Sequence, residues 1–179
     1  MTNSSINLRP ATLHDHLTKL IPLEESDFER LYAVASDPLI WEQHPSKDRY
    51  KREVFKTYFD GAVESQSAFL IFEKATGELM GSTRFYDFKP DGPSVAIGYT
   101  FLTCKYWGGK YNHAVKKLLL DHAFQFVNTV FFHIGADNIR SQKAILNIGA
   151  AKVNEVDFDY YGGKLLHYEY AINKQDWKR

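Results

Sequence analysis

Apolar residues recur along the chain with two different periods, and the switches between them divide it into strands and helices. Alternating or continuous apolar runs predict strands, whereas apolar residues spaced three and four apart predict helices. The resulting order is β, α, α, β, β, β, α, β, α, β, β, a mixed α/β arrangement of about seven mostly antiparallel strands with helices on both faces. The predicted strands are 17–23, 68–72, 79–88, 94–102, 129–136, 151–158 and 165–172, and the helices begin near Ser26, Arg52, Asn112 and Ala144.

Local signals set several of the element boundaries. Ser26 and Glu29 have the spacing of a capping box, and that helix should end near Asp37-Pro38. The next segment, 41–45, is polar and predicts a loop between two helices. Residues 1–16 carry little pattern and predict a mobile or loosely packed arm on a single domain spanning 1–179.

Composition excludes several classes of protein. A formal net charge of zero gives no global attraction to nucleic acid or to a membrane surface. Cys104 is the single cysteine, so an internal disulfide is excluded, and His14-Asp15-His16 is too small a set to predict a metal site. No apolar run could span a bilayer and the N-terminus lacks a signal-peptide core, so we expect a cytoplasmic protein.

The most informative stretch is 94–126, which predicts a strand, a glycine turn and a helix. Gly108 and Gly109 interrupt the strand pattern, and from Asn112 the apolar residues follow a helical period, with Lys116 and Lys117 placed mostly on the polar face. The first backbone N–H groups of a helix have no intrahelical acceptor. A helix that begins at a glycine turn is therefore suited to binding a phosphate.

This stretch resembles the acyl-CoA-binding core of the GNAT superfamily of N-acetyltransferases, and its Tyr106-Trp107 pair is similar to the ribosomal-protein N-terminal acetyltransferase branch. Lys105 stands at the basic position of the family motif and Gly108 at its first glycine. Lys110 occupies the second small position, which departs from the pattern. Further on, Asn138, Ser141 and Gly149 resemble the family's next motif, in which a short helix packs beside the pantetheine arm.

The resemblance implies a sheet with a central V-shaped split that holds acetyl-CoA. It also implies a set of residues that bind this cosubstrate and take part in transfer to a primary amine. The expected acetyl-CoA-binding residues are Phe101, Leu102, Thr103, Lys105, Gly108, Gly109, Lys110, Tyr111, Asn112, Asn138 and Ser141, with no metal. The expected acceptor contacts are Trp41, His44, Arg84 and Tyr86.

Direct attack of an amine on a thioester requires a proton acceptor, an oxyanion donor and a proton for the thiolate. His44 could bind or deprotonate the amine, and the resemblance places the oxyanion donor near Phe101–Thr103. The family often supplies a tyrosine to the thiolate where this chain has Ile145. Ser141 could substitute for that tyrosine, with Asn138 orienting the pantetheine or a water. Because only His44, Ser141 and scattered tyrosines are available, we expect a water chain rather than one essential base.

Two other functions fit parts of the sequence. A non-catalytic acyl-CoA-binding or sensing domain would explain Lys110 and Ile145 at positions where the family differs. A nucleic-acid-binding module would use the aromatic residues and the Lys116-Lys117 pair, but the zero net charge argues against it. The acceptor could be a small-molecule amine or a protein N-terminus, and the C-terminal hairpin leaves room for a homodimer.

Overall fold

The apolar segments of the chain pair into an eight-stranded sheet. A computed structural model describes residues 6–160 and 163–177. The strands are β1 (Leu13–His14), β2 (Thr18–Pro22), β3 (Ala68–Glu73), β4 (Leu79–Lys89), β5 (Ser94–Leu102), β6 (Thr129–Gly135), β7 (Ala151–Tyr160) and β8 (Gly163–Asn173). The helices are α1 (Phe28–Ala35), α2 (Pro38–Trp41), α3 (Arg52–Glu64), α4 (Lys110–Ala123) and α5 (Ile139–Leu146).

The strand order is β1-β2-β3-β4-β5-β6-β8-β7, and among the described strands only β5 and β6 pair in parallel. Their pairing ends after Ala96 and Phe131, although both strands continue. Beyond that point β5 pairs only with β4, and β6 pairs only with β8. The sheet is therefore mostly antiparallel and opens in the middle, between the ends of β5 and β6.

Helices cover both faces because alternate strand residues point to opposite sides of a sheet. Phe69 and Ile71 of β3 belong to the apolar cluster that includes residues of α4 and α5. Leu70, between them, belongs to the second cluster, which is built with α1, α2 and α3. The fold class predicted from the sequence is thus confirmed, with one strand more than expected.

The additional strand lies in the segment that was expected to be a loose arm. Leu13 and His14 pair with Leu20 and Lys19 of β2. The Asn7 carbonyl accepts a hydrogen bond from Nε2 of the buried His122 at 2.7 Å, and Leu8 and Leu13 pack against the core. Residues 1–5 lie outside the described residues, as do residues 161 and 162 of the predicted C-terminal hairpin loop.

The first and last helices begin differently from the sequence expectation. The predicted Ser26 cap is not formed. A 3₁₀ turn at Glu25–Asp27 precedes α1, and the Asp27 carboxylate accepts from the Glu24 N–H at 2.8 Å. At α5 the Asn138 side chain accepts from the Ser141 N–H, so the helix begins well before the apolar residues that predicted it.

The segment 41–45 is not entirely a loop. Pro38 stands in the first turn of α2, and the Asp37 carboxylate accepts from the Leu39 N–H at 2.9 Å, so a one-turn helix forms and ends at Trp41. Lys116 is also placed differently from the expectation, because it is 4% exposed and lies inside the molecule. No helix within 6–160 and 163–177 is long and apolar enough to cross a membrane.

Candidate active site

The opening between β5 and β6 is the mouth of a cavity of about 930 Å³. A β-bulge shapes one wall. Two residues of β5, Tyr99 and Thr100, lie opposite the single β4 residue Thr83, and Tyr99 adopts a positive φ of 52°. The Tyr58 hydroxyl donates to the Tyr99 carbonyl at 2.7 Å and holds the bulge in place. Both bulge residues line the cavity.

The start of α4 forms another part of the wall. Gly108 and Gly109 have φ values of 96° and 129°, which side chains with a Cβ rarely adopt. The first helical hydrogen bond runs from the His113 N–H to the Gly109 carbonyl, so the three preceding N–H groups have no intrahelical acceptor. Lys110 has a negative φ as the first helical residue, with its ammonium 4.9 Å from the Tyr111 ring centroid. This geometry suits a phosphate group.

The cavity is rich in positive charge. None of its described lining residues is Asp or Glu. Positive charge in a concave wall attracts anionic ligands. The basic side chains in the lining are Arg49, Lys110, Lys116, Arg140 and Lys143.

Arg140 is a contributor that the sequence analysis missed. Its guanidinium lies 3.8 Å from the centroid of the Trp107 ring and donates to the Ile40 carbonyl at 3.1 Å. The Gln43 side-chain oxygen accepts from the Arg140 backbone N–H at 3.1 Å. These contacts fix the arginine beside the glycine turn, where a charged ligand would pass.

Most of the expected acetyl-CoA-binding residues line this cavity, but three do not. The Thr103 N–H donates to the Met80 carbonyl at 2.8 Å and so continues the sheet. Lys105 pairs with Glu78 at 2.6 Å outside the cavity, and Tyr111 packs its ring against that of Tyr106. The expected residues that do line the cavity are Phe101, Leu102, Gly108, Gly109, Lys110, Asn112, Asn138 and Ser141.

Asn138 and Ser141 lie together at the start of α5. The Asn138 oxygen caps the helix by accepting from the Ser141 backbone N–H at 3.2 Å, so this oxygen already has a structural role. Ile145, on the next turn, is 4% exposed and presents only carbon to the cavity. Of these three side chains, only the Ser141 hydroxyl could donate a proton to a leaving group.

His44 lies in the cavity wall, but both of its ring nitrogens face donors. The Ser46 N–H donates to Nδ1 at 2.9 Å, and the Arg49 guanidinium is 3.2 Å from Nε2. Burial lowers the pKa of His44 well below its ordinary value, and the positive charge of Arg49 lowers it further. A neutral imidazole has a single acceptor nitrogen, and here Nδ1 already accepts from the Ser46 N–H, so the geometry does not favour His44 as the base.

The other expected acceptor contacts have different positions. Trp41 is 2% exposed, donates from its indole to the Ala35 carbonyl at 2.8 Å, and forms part of the cavity wall. Arg84 does not line the cavity. Its guanidinium lies 3.4 Å from the Tyr99 ring centroid, in space left by Gly61 of α3. Tyr86 does line the cavity, as expected.

The Tyr86 hydroxyl forms part of an arrangement that the sequence did not reveal. It lies 2.7 Å from Nδ1 of His133, whose Nε2 lies 2.8 Å from a carboxylate oxygen of Glu169. His133 and Glu169 are directly opposite each other in the antiparallel pair β6–β8. The single histidine in the apolar run of β6 is a signal in the sequence, but by itself it does not identify a partner.

Lys116 reaches the cavity from α4, which packs on the face of the sheet opposite to α1, α2 and α3. Its ammonium donates to the Thr100 hydroxyl at 2.7 Å and lies 5.7 Å from the centroid of the Phe132 ring. Burial lowers the pKa of Lys116 to about 7. Thr100 and Phe132 follow the last paired residues of β5 and β6 closely, so Lys116 lies at the closed end of the opening.

Cys104 is not an activated nucleophile. Its thiol donates to the Asp37 carboxylate at 3.4 Å, and burial and this carboxylate raise the pKa of Cys104. In the described part of the chain, no group of three or more His, Cys, Asp or Glu side chains could hold a metal ion.

Comparison with known protein families agrees with this geometry. The model of the Acetyltransferase (GNAT) domain matches residues 18–151, which is most of the chain. The chain belongs to the GNAT acetyltransferase family. The match includes the glycine turn, α4 and α5, which all contribute residues to the cavity lining.

Solved GNAT structures share the fold at low sequence identity. A GCN5-related N-acetyltransferase from Brucella melitensis superposes with a TM-score of 0.82 at 16% identity, covering 94% of this chain and 83% of that one. Mycobacterium smegmatis RimJ in complex with CoA-disulfide gives 0.72 at 17% identity, covering 94% and 88%. Spermidine N-acetyltransferase from Vibrio cholerae, in complex with CoA and spermine, gives 0.67 at 12%, covering 90% and 98%. No curated protein sequence matches significantly.

Proposed function

We propose that this GNAT protein transfers the acetyl group of acetyl-CoA to a primary amine by direct attack in a ternary complex. The observation that carries the proposal is the cavity in the split sheet. The N-terminus of α4 lies in one wall, the lining contains several basic side chains, and the titratable side chains Tyr86, His133 and Lys116 also line it.

The residues present fit acetyl-CoA. The N–H groups at the start of α4 would bind the pyrophosphate, with Lys110 and Arg140 adding positive charge. The bare edges of β5 and β6 would bind the amide groups of the pantetheine arm, as a strand binds at an open sheet edge. Acetyl-CoA supplies the thioester, and these chain residues orient it and exclude water.

The lining also bears on the acceptor. A polyamine such as spermidine carries several positive charges, which carboxylates in a site would stabilise. Here the described lining contains cationic, aromatic and histidine side chains and no carboxylate. We therefore propose a primary amine with a neutral or anionic neighbour, such as a peptide N-terminus, in preference to a polyamine.

The test is a free-thiol assay with acetyl-CoA and a panel of amines. The panel contains peptides with different N-terminal residues, amines that carry a carboxylate, spermidine, and an aminoglycoside. We expect turnover with a peptide or a carboxylate-bearing amine, together with a rise in melting temperature on adding acetyl-CoA. Spermidine as the preferred acceptor would overturn the acceptor assignment. The absence of both a melting shift and calorimetric heat with acetyl-CoA would overturn the acetyl-CoA assignment.

A non-catalytic acyl-CoA sensor is the second candidate, and Ile145 is the observation that favours it. This residue gives the cavity a carbon surface where the family often has a proton-donating tyrosine. A sensor would bind acetyl-CoA with a melting shift and release no thiol with any member of the amine panel. An acetyltransferase would show the melting shift and also release thiol, so the same assay separates the two functions.

A further inference from the structure

Tyr86, His133 and Glu169 form a hydrogen-bonded line that begins in the cavity. The Tyr86 oxygen is 2.7 Å from Nδ1 of His133, and Nε2 of the same ring is 2.8 Å from Glu169. The His133 side chain is 11% exposed and that of Glu169 is 21% exposed, so both are largely shielded from solvent. Tyr86 and His133 line the cavity and Glu169 lies behind them.

The direction of these hydrogen bonds follows from the chemistry of the groups. An ionised carboxylate can only accept, so the Glu169 contact requires a proton on Nε2 of His133. In the neutral ring Nδ1 then has a lone pair and accepts from the Tyr86 hydroxyl. Burial is the main cause that raises the pKa of Tyr86, so this residue stays protonated at neutral pH. Its oxygen keeps lone pairs with which it can accept another proton.

Packing holds the rings of Tyr86 and His133 in place. A Cβ added at Gly98 would lie 2.8 Å from Cε1 of Tyr86, so the ring crosses β5 where a glycine leaves room for it. The rings of Tyr99 and Phe158 pack edge-on against those of Tyr86 and His133, respectively. Side chains that are fixed by packing in this way are suited to catalysis.

We propose that Tyr86 is the residue that takes the proton from the acceptor amine, with His133 and Glu169 positioned behind it to receive and stabilise that proton. This proposal rests on the proposed N-acetyltransferase function. It replaces the expectation of a water chain with no essential side chain. The arrangement follows the logic of a nucleophile–histidine–carboxylate triad, with a tyrosine hydroxyl as a proton relay in place of the nucleophile.

Each proton of the acceptor ammonium has a defined destination in this relay. The ammonium gives one proton to the Tyr86 oxygen while the Tyr86 hydroxyl proton moves to Nδ1 of His133, whose new positive charge is stabilised by Glu169. The neutral nitrogen forms a bond to the acetyl carbon while the carbonyl π electrons move onto oxygen, and they re-form the carbonyl when sulfur leaves. One of the three original protons stays on the amide nitrogen. The carbon–sulfur bond then breaks, with its electron pair remaining on sulfur, and the second nitrogen proton passes to the thiolate. His133 returns its proton to solvent through Tyr86 after the product leaves.

The first experiment compares single variants at saturating acetyl-CoA. Tyr86→Phe and His133→Asn should each lower kcat by about 10²–10⁴-fold, the usual contribution of a general base, with the acetyl-CoA Kd unchanged. Glu169→Gln should cause a smaller loss of the same kind, because a glutamine oxygen still accepts from Nε2 but carries no charge. The matched control is Tyr168→Phe, which removes a tyrosine hydroxyl outside the cavity, from the residue next to Glu169.

The double variant Tyr86→Phe/His133→Asn separates a relay from two structural roles. Residues that act as a unit are non-additive, so the double variant should be only as slow as the slower single variant. If the loss of kcat in the double variant equals the product of the two single losses, the relay is overturned. Full activity in either single variant, with folding intact, would also overturn it.

A measurement that does not require turnover tests the relay separately from the proposed function. Imidazole ¹⁵N NMR of the wild type should show His133 protonated on Nε2, with a shift of the Nδ1 signal in Tyr86→Phe. The opposite tautomer, or no change at Nδ1, would overturn the relay even if amines are acetylated. A wild type that shows the expected tautomer but acetylates no amine would instead refute the proposed function and, with it, the catalytic role of Tyr86.

Discussion

The buried Lys116 should make the stability of the fold depend on pH, and Lys116→Met should remove that dependence. The ordinary pKa of a lysine is 10.5, and burial lowers the pKa of Lys116 to about 7 in the folded chain. At pH values between these two pKa values, Lys116 is protonated in the unfolded chain and deprotonated in the folded chain. Because stability rises with pH wherever the unfolded state binds more protons, the wild type should become more stable as the pH increases from 7.

The size of this change in stability follows from the titration of a single proton. A difference of one proton corresponds to a slope of about 1.4 kcal/mol per pH unit, so the wild type should gain about 2–3 kcal/mol between about pH 7.5 and about pH 9.5. Lys116→Met keeps an unbranched side chain of similar length and cannot titrate. It also loses the hydrogen bond to Thr100, worth about 0.5–1.5 kcal/mol, which is less than the cost of burying the charge.

The assay is urea unfolding at several pH values within that window. Titration of the buried tyrosines Tyr58 and Tyr86, whose pKa values are raised, is avoided by staying below about pH 10. Lys117→Met is the control, because Lys117 is 42% exposed and pairs with Asp121. The slopes of wild type and control should exceed that of Lys116→Met by about 1.4 kcal/mol per pH unit, because the raised pKa of Cys104 affects all three proteins equally. Equal slopes in all three proteins would show that Lys116 remains protonated in the fold, contrary to this prediction.

Three further predictions concern the cleft. Lys110→Ala should raise the acetyl-CoA Kd a few-fold and flatten the salt dependence of this Kd, since one exposed charge contact is worth roughly 0.2–1 kcal/mol. Calorimetry at two salt concentrations checks this. An unchanged dependence of Kd on salt would mean that Lys110 is only solvated. Lys105→Ala should leave both quantities unchanged in the same experiment, because Lys105 pairs with Glu78. Gly98→Ala should lower the melting temperature and kcat by displacing the Tyr86 ring, and wild-type values of both would contradict the close approach.

Features fixed by local periodicity were predictable from the sequence. Helix α3 begins at Arg52 and ends at Glu64 as predicted, because Phe55, Tyr58 and Phe59 lie at helical spacing and all three pack into one core. Strand β5 is also found with the predicted bounds.

Features fixed by tertiary contact were not predictable in the same way. Lys116 follows Val115 at the edge of the apolar face of α4, and periodicity placed it with the solvent-facing residues. The structure buries it because α4 lies across the opening between β5 and β6, where the side chain finds Thr100. A local pattern contains no information on which helix residue will face a gap between two strands.

The three residues of the proposed relay come from three strands, and the strand register brings them together. Tyr86 and His133 are 47 positions apart, and His133 and Glu169 are 36 apart. A shift of one residue in the β6–β8 register would put the glutamate on the other face of the sheet. The sequence nevertheless contains one usable signal, which is Gly98 within the apolar strand β5. A glycine weakens a strand, so its presence indicates that another group approaches the backbone closely. Here that group is the Tyr86 ring, whose hydroxyl contacts His133, which in turn contacts Glu169.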